Sequence, residues 1–111
     1  MAYDEALAAR IRALVAGETG LSEKKMFGGL AFLVDGNMAV SASGQGGLLL
    51  RVDPADTDGL VAGSPAYVAV MRGRPMPGWL RVDSVDVEDD TALAEWVGRC
   101  VAFARSLPAK P

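Results

Sequence analysis

The chain of 111 residues contains no histidine and a single cysteine, Cys100. These two counts decide most of what its side chains can do chemically. Without an imidazole there is no Ser-His-Asp triad, no Cys-His pair and no His-ligated metal site. Cys100 falls on the apolar stripe of an amphipathic segment, where a thiol behaves as a small buried hydrophobe and its pKa rises away from reactivity. The carboxylates from Asp83 to Asp90 lack the ligand loop with central glycine and terminal glutamate that holds calcium. They read as a solvated turn whose last members cap a following helix. Serines, lysines and carboxylates show no paired arrangement suited to a hydrolase or transferase, so no catalytic residue, metal or cofactor is expected.

Concentrated positive charge occurs at Lys24-Lys25 and at Arg72 and Arg74, and the stretch from Tyr67 to Val82 holds three arginines and no acid. If folding brings these two segments together, they form a basic patch beside Phe27 and Trp79 suited to an anion or an acidic partner surface. The competing reading pairs the arginines with the acids of Asp83 to Asp90. The candidate binding residues are thus Lys24, Lys25, Phe27, Arg72, Arg74 and Trp79. Gly28-Gly29 and the Gly44 to Gly47 run both lead into strands, whereas a phosphate loop leads from a strand into a helix N-terminus. They read as close strand approach or turn geometry.

Several elements must position these residues. Tyr3, Leu7, Ile11, Leu14 and Val15 recur at helical spacing from Tyr3 to Ala16, with Asp4 and Glu5 in the first turn and Gly17 and Gly20 ending the helix. Leu30, Phe32 and Val34 alternate with Ala31 and Leu33, as in a strand partly covered on both faces. Asp35-Gly36 then makes a tight hairpin turn into Met38-Ala39, and Leu48 to Val52 follows through the flexible Gly44 to Gly47 link as a third strand of a meander. Asp53-Pro54-Ala55-Asp56 starts a short helix stopped by Gly63-Ser64-Pro65.

Tyr67 to Met71 and Trp79 to Val82 read as two more strands, joined by a loop from Arg72 to Gly78. Leu93, Trp96, Val97, Cys100, Val101 and Ala104 share one face of a final helix. The order α-β-β-β-α-β-β-α predicts an α+β fold with a five-stranded antiparallel sheet and helices packed on it. Residues 1–107 form the domain and 108–111 a disordered tail. The chain has 50% hydrophobic and 23% charged residues, enough apolar material for one substantial core. It has 11 Lys and Arg against 14 Asp and Glu, a net charge of −3, which does not supply the positive charge that nonspecific phosphate-backbone binding needs. No membrane span or signal-type apolar run is present, and a reducing cytoplasm is the expected location.

The block from Lys24 through Met26-Phe27-Gly28-Gly29 to Phe32, followed by Asp35-Gly36-Asn37-Met38-Ala39, resembles the N-terminal domain of the TfoX/Sxy family of competence regulators. Met71-Arg72-Gly73-Arg74-Pro75-Met76-Pro77-Gly78-Trp79 and the closing segment from Trp96 to Leu107 fit the same pattern, so the resemblance covers nearly the whole chain. It implies a secretion-chaperone-like α+β fold and a bacterial cytoplasmic protein without known catalytic residues. In the longer members it implies a link to transcription of DNA-uptake genes together with the cAMP receptor protein. Those members carry a second, helical C-terminal domain, and the present chain is expected to be a stand-alone N-terminal domain without it.

Together these readings predict a non-enzymatic regulatory or protein-interaction module. Its expected partner is a protein, a transcription factor or RNA polymerase, rather than DNA, since the net charge is acidic and no helix-turn-helix pattern occurs. The alternative is a small-ligand or anion-binding domain using Lys25, Arg72, Arg74 and Trp79. A homodimer is expected because an open sheet leaves edges to be paired and Leu48 to Val52 is apolar on both faces.

Overall fold

The computed structural model describes residues 3–26 and 28–110. Its first element, helix α1 (Glu5–Val15), begins where the Asp4 carboxylate accepts a hydrogen bond from the Leu7 N–H at 3.1 Å, satisfying one of the amides that a helix start leaves unpaired. Leu7, Ala8, Ile11 and Val15 are buried on one side. Leu14 belongs to the same sequence stripe but stays 43% exposed, because it lies at the border of that side, on a shallow groove between α1 and the last helix.

Six strands form one antiparallel sheet: β1 (Leu21–Met26), β2 (Gly29–Val34), β3 (Asn37–Ala42), β4 (Leu48–Arg51), β5 (Tyr67–Met71) and β6 (Arg74–Val82), in the spatial order β1-β2-β3-β4-β6-β5. The α+β class holds, with one strand more than the five read from the sequence. The added strand, β1, is an edge strand exposed along Ser22 to Lys25, so its solvated residues carry no apolar alternation to announce it. Asp35 (φ 52°) and Gly36 (φ 82°) make the two-residue β2–β3 turn, the left-handed pair that this turn requires.

Leu48 to Val52 is not an edge. β4 lies between β3 and β6 and is paired on both sides, which explains its apolar character on both faces. Gly29 and Gly44 mark a close crossing: a Cβ on Gly29 would stand 2.3 Å from the Ala42 carbonyl oxygen, and one on Gly44 would stand 2.6 Å from that of Gly28.

The segment after Met71 departs most from expectation. Arg72 and Gly73 alone form the turn, and the strand begins at Arg74, so residues 74–78 are strand rather than loop. Leu80 pairs with Val68 and Pro75 with Val70, so a single residue of β5, Ala69, faces the four residues from Met76 to Trp79. This wide bulge accommodates two prolines because residues 74–78 extend past the part of β6 that pairs with β4 and need few ladder donors. Gly78 (φ 85°) closes the bulge. Its carbonyl accepts from the Val52 N–H at 2.8 Å and its own N–H donates to Thr57 Oγ1 at 2.9 Å.

Asp53 caps a 3₁₀ turn, Pro54–Asp56, that runs into the short helix α2 (Thr57–Gly63). A second 3₁₀ turn, Ser84–Val87, precedes helix α3 (Asp90–Ser106), which is capped by Asp89 accepting from the Ala92 N–H. All six residues predicted to face inward on α3 are buried. With α1, α2 and one side of the sheet they enclose the main core. The tail expected to be disordered is held as far as Lys110: Asn37 donates to the Pro108 carbonyl at 3.0 Å, and the Lys110 N–H donates to the Asp35 carbonyl at 2.8 Å.

Candidate interaction surface

Because neighbouring strands of a sheet place opposed residues on the same side, the register fixes which side chains share the face turned away from the helices. Lys24, Ala31, Ser41, Leu49, Arg81 and Tyr67 stand opposite one another in successive strands and form a single row across that face. Ala31, Met38, Leu49 and Ala69 form a second, smaller buried cluster there. All three helices contribute to the core on the other side, so this cluster is covered only by neighbouring side chains, chiefly Met26, Leu33, Met71 and Trp79. Methionine and tryptophan are suited to this role, being large, apolar and adaptable in how they pack against an incoming surface.

The strand residues that point to this face carry charge of one sign, and the Asp83 carboxylate, bonded to the Tyr67 hydroxyl, borders it just past the end of β6. Among the described strand residues that point to it, Lys24, Arg51, Arg74 and Arg81 are charged and none is a carboxylate. Arg81 donates to Ser43 Oγ at 2.8 Å, which steadies it over the upper end of β3. Arg51 lies opposite Trp79 across β4 and β6, with its guanidinium carbon 5.5 Å from the Trp79 ring centroid and 5.9 Å from that of Phe103 on α3. The cation thus bridges the open face and the helix layer at the lower end of the sheet, held by ring quadrupoles. Arg10, Arg12 and Arg105, by contrast, pair with Asp90, Glu23 and Glu18 on the helix side.

The topology separates the residues that the sequence grouped as one basic patch. Lys24 and Lys25 lie on edge strand β1, while Arg72 and Arg74 sit at the tip of the β5–β6 hairpin on the opposite side of the sheet. Three strands intervene between β1 and β6, so at about 5 Å per strand the two pairs are on the order of 20 Å or more apart. Lys25 also points to the other side, opposite Leu30. Trp79 is half-buried at the open face rather than in the main core. Phe27 lies outside the described residues. Arg72 and Arg74 form no ion pair among the described residues, and the acids after β6 have other partners: Asp83 accepts from the Tyr67 hydroxyl at 2.7 Å and Asp90 pairs with Arg10.

Sequence reasoning missed Arg51 and Arg81, which lie among apolar neighbours, and Met26, Met38 and Met71. The alternation of Ala31 and Leu33 with Leu30, Phe32 and Val34 was the available signal that a second face is apolar.

Two other features bear on chemistry. A cleft of about 370 Å³ between α2 and α3 is lined by Leu60 and Trp96 together with Asp86, Glu95 and Arg99. Its two carboxylates to one cation disfavour an anion there. Cys100 is fully buried, and desolvation pushes its thiol up to about 12, leaving essentially no thiolate at neutral pH. Among the described residues no three His, Cys, Asp or Glu side chains gather as a metal site, and no helix is long and apolar enough to cross a membrane.

A family model described as the TfoX N-terminal domain matches residues 13–104, a span that takes in all six strands, α2 and nearly all of α3. A search of curated proteins returned no match.

Proposed function

Since the chain belongs to the TfoX N-terminal domain family, we propose that it is a regulatory module that acts by binding a protein partner through the open face of its sheet, without turning over a substrate. The observation that carries this reading is the make-up of that face, an apolar cluster bordered by Lys24, Arg51, Arg74 and Arg81, with no carboxylate among the described strand residues that point to it. An acidic protein surface with an apolar centre is its complement: the cations orient it, and burial of Met26, Leu33, Met71 and Trp79 holds it. A transcription factor or RNA polymerase subunit in the bacterial cytoplasm is the partner class that fits a regulator of this family. Direct reading of DNA is disfavoured by the net charge of −3. A non-enzymatic role agrees with the absence of histidine and with a lone thiol that is buried and protonated.

Affinity capture from the source cytoplasm tests this with two variants. K24E/R81E cancels the positive charge of the open face, leaving Arg51 and Arg74 against two carboxylates, and R99E changes the α2–α3 cleft. The partner is expected to be lost with K24E/R81E and kept with R99E. Retention by the first and loss by the second would move the binding site to the helix layer and overturn the assignment.

A further inference from the structure

The two edges of the sheet are treated differently. β1 presents Glu23, Lys24 and Lys25 along an exposed edge, and Glu23 is tied back to Arg12 by two hydrogen bonds of 2.7 and 2.9 Å. Charges of this kind discourage another strand from pairing there. Among the described residues β5 is hydrogen-bonded to β6 alone, and it reads Tyr67-Val68-Ala69-Val70-Met71, without a charge or a proline. Val70 is 59% exposed and Tyr67 44%.

The two ends of β5 are complementary to each other. At one end Tyr67 projects on the open face with its hydroxyl bonded to the Asp83 carboxylate, so an aromatic ring is carried beside a negative charge. At the other end Met71 and Met76, with Arg72 and Arg74, line an open dish of about 540 Å³, and neither arginine has an ionic partner among the described residues. Arg72 holds this place at a φ of 53°, a left-handed conformation that costs about 1 kcal/mol in a residue other than glycine. Glycine or asparagine would serve that turn position with less strain.

From this we infer that β5 is a homodimerisation edge, where two copies of the chain pair their β5 strands antiparallel about a two-fold axis through Ala69. In that register Tyr67 of each copy meets Met71 of the other, and Val68 meets Val70. Arg72 of each copy then comes beside the strand end where Tyr67 and Asp83 of the other lie. Ring into dish and cation onto carboxylate thus occur twice, as an isologous contact requires. The result is one continuous sheet, with the open faces of the two copies side by side. This dimer stands apart from the partner reading above, since either can fail without the other.

Sedimentation and light scattering over a wide concentration range test it. The expected result is a reversible rise to twice the 11.6 kDa of one chain. V70K places a charge at the centre of an exposed edge and is expected to leave the circular dichroism spectrum unchanged while weakening association by about tenfold or more. R72D and D83R are each expected to weaken it, and R72D/D83R, which exchanges the charges across the two-fold, to restore it. A mass of 11.6 kDa at every concentration, a dimer indifferent to V70K, or a double variant no tighter than the single ones would overturn the proposal.

Discussion

Gly78 and Thr57 are joined by a 2.9 Å hydrogen bond from the glycine N–H to Thr57 Oγ1, at a buried point where the bulge of β6 meets the first turn of α2. The same glycine accepts from the Val52 N–H, so its backbone is fixed on both sides. This explains the segment Pro75-Met76-Pro77-Gly78-Trp79. The prolines stiffen a stretch that need not pair fully, the glycine permits the left-handed closure, and Trp79 emerges at the open face opposite Arg51.

Gly78→Ala tests that account. A Cβ there would meet the Val52 carbonyl oxygen and Pro54 Cγ at 3.1 Å, with φ at 85°, and a non-glycine residue so placed costs about 1–3 kcal/mol. Chemical denaturation is expected to show a loss of that order or more. Thr57→Val, which leaves the buried Gly78 N–H unpaired, is expected to cost about 1–3 kcal/mol by the same measurement.

Arg51 links the two layers. Its replacement by alanine removes both aromatic contacts, each worth roughly 0.5–1 kcal/mol at a partly exposed site. The expected outcome is a modest fall in melting temperature with a changed Trp79 emission. Arg51→Lys keeps the charge but not the flat guanidinium, and is expected to fall between wild type and alanine.

Cys100 is predicted to be inert in the folded protein. Its thiol is buried and raised to about 12, so at mildly alkaline pH a thiol reagent should label it only on global opening. Labelling by Ellman's reagent is expected to be negligible in native buffer and complete in denaturant.

The Arg12–Glu23 pair gives a pH dependence of known sign. Hydrogen bonding from Arg12 lowers the Glu23 carboxyl below its ordinary value. Its contribution is therefore fully present above the unfolded-state pKa and is lost as pH falls through the lower folded-state value. Both side chains are substantially solvated, so the effect is small. Glu23→Gln is expected to lower the melting temperature slightly near neutrality, where the pair is intact, and to flatten the acid limb so that the two proteins converge at low pH.

Much of the fold was legible where one local rule decides the outcome. The Asp35-Gly36 turn, the Asp53-Pro54 start and the inward face of α3 each follow from a few adjacent residues. β1 was not legible because an edge strand wet on most of its length shows charge rather than alternation. Residues 74–78 looked like a loop because prolines rarely sit in a paired strand, and only the register with β5 reveals the bulge. The basic patch failed for a different reason. Strand order is a long-range property, and Lys24 and Arg72 belong to opposite edges of the sheet. The same property moved Leu48 to Val52 from an expected edge to the interior and passed the free edge to β5.

The most direct test of the account is hydrogen–deuterium exchange on the complex with the captured partner, compared with the free chain. Binding through the open face predicts slowed exchange in β2, β3, β4 and β6 around Ala31, Ser41, Leu49 and Arg81, with α1 and α3 unchanged. Protection confined to α1, α2 and α3, with the strands exchanging as in the free chain, would contradict it.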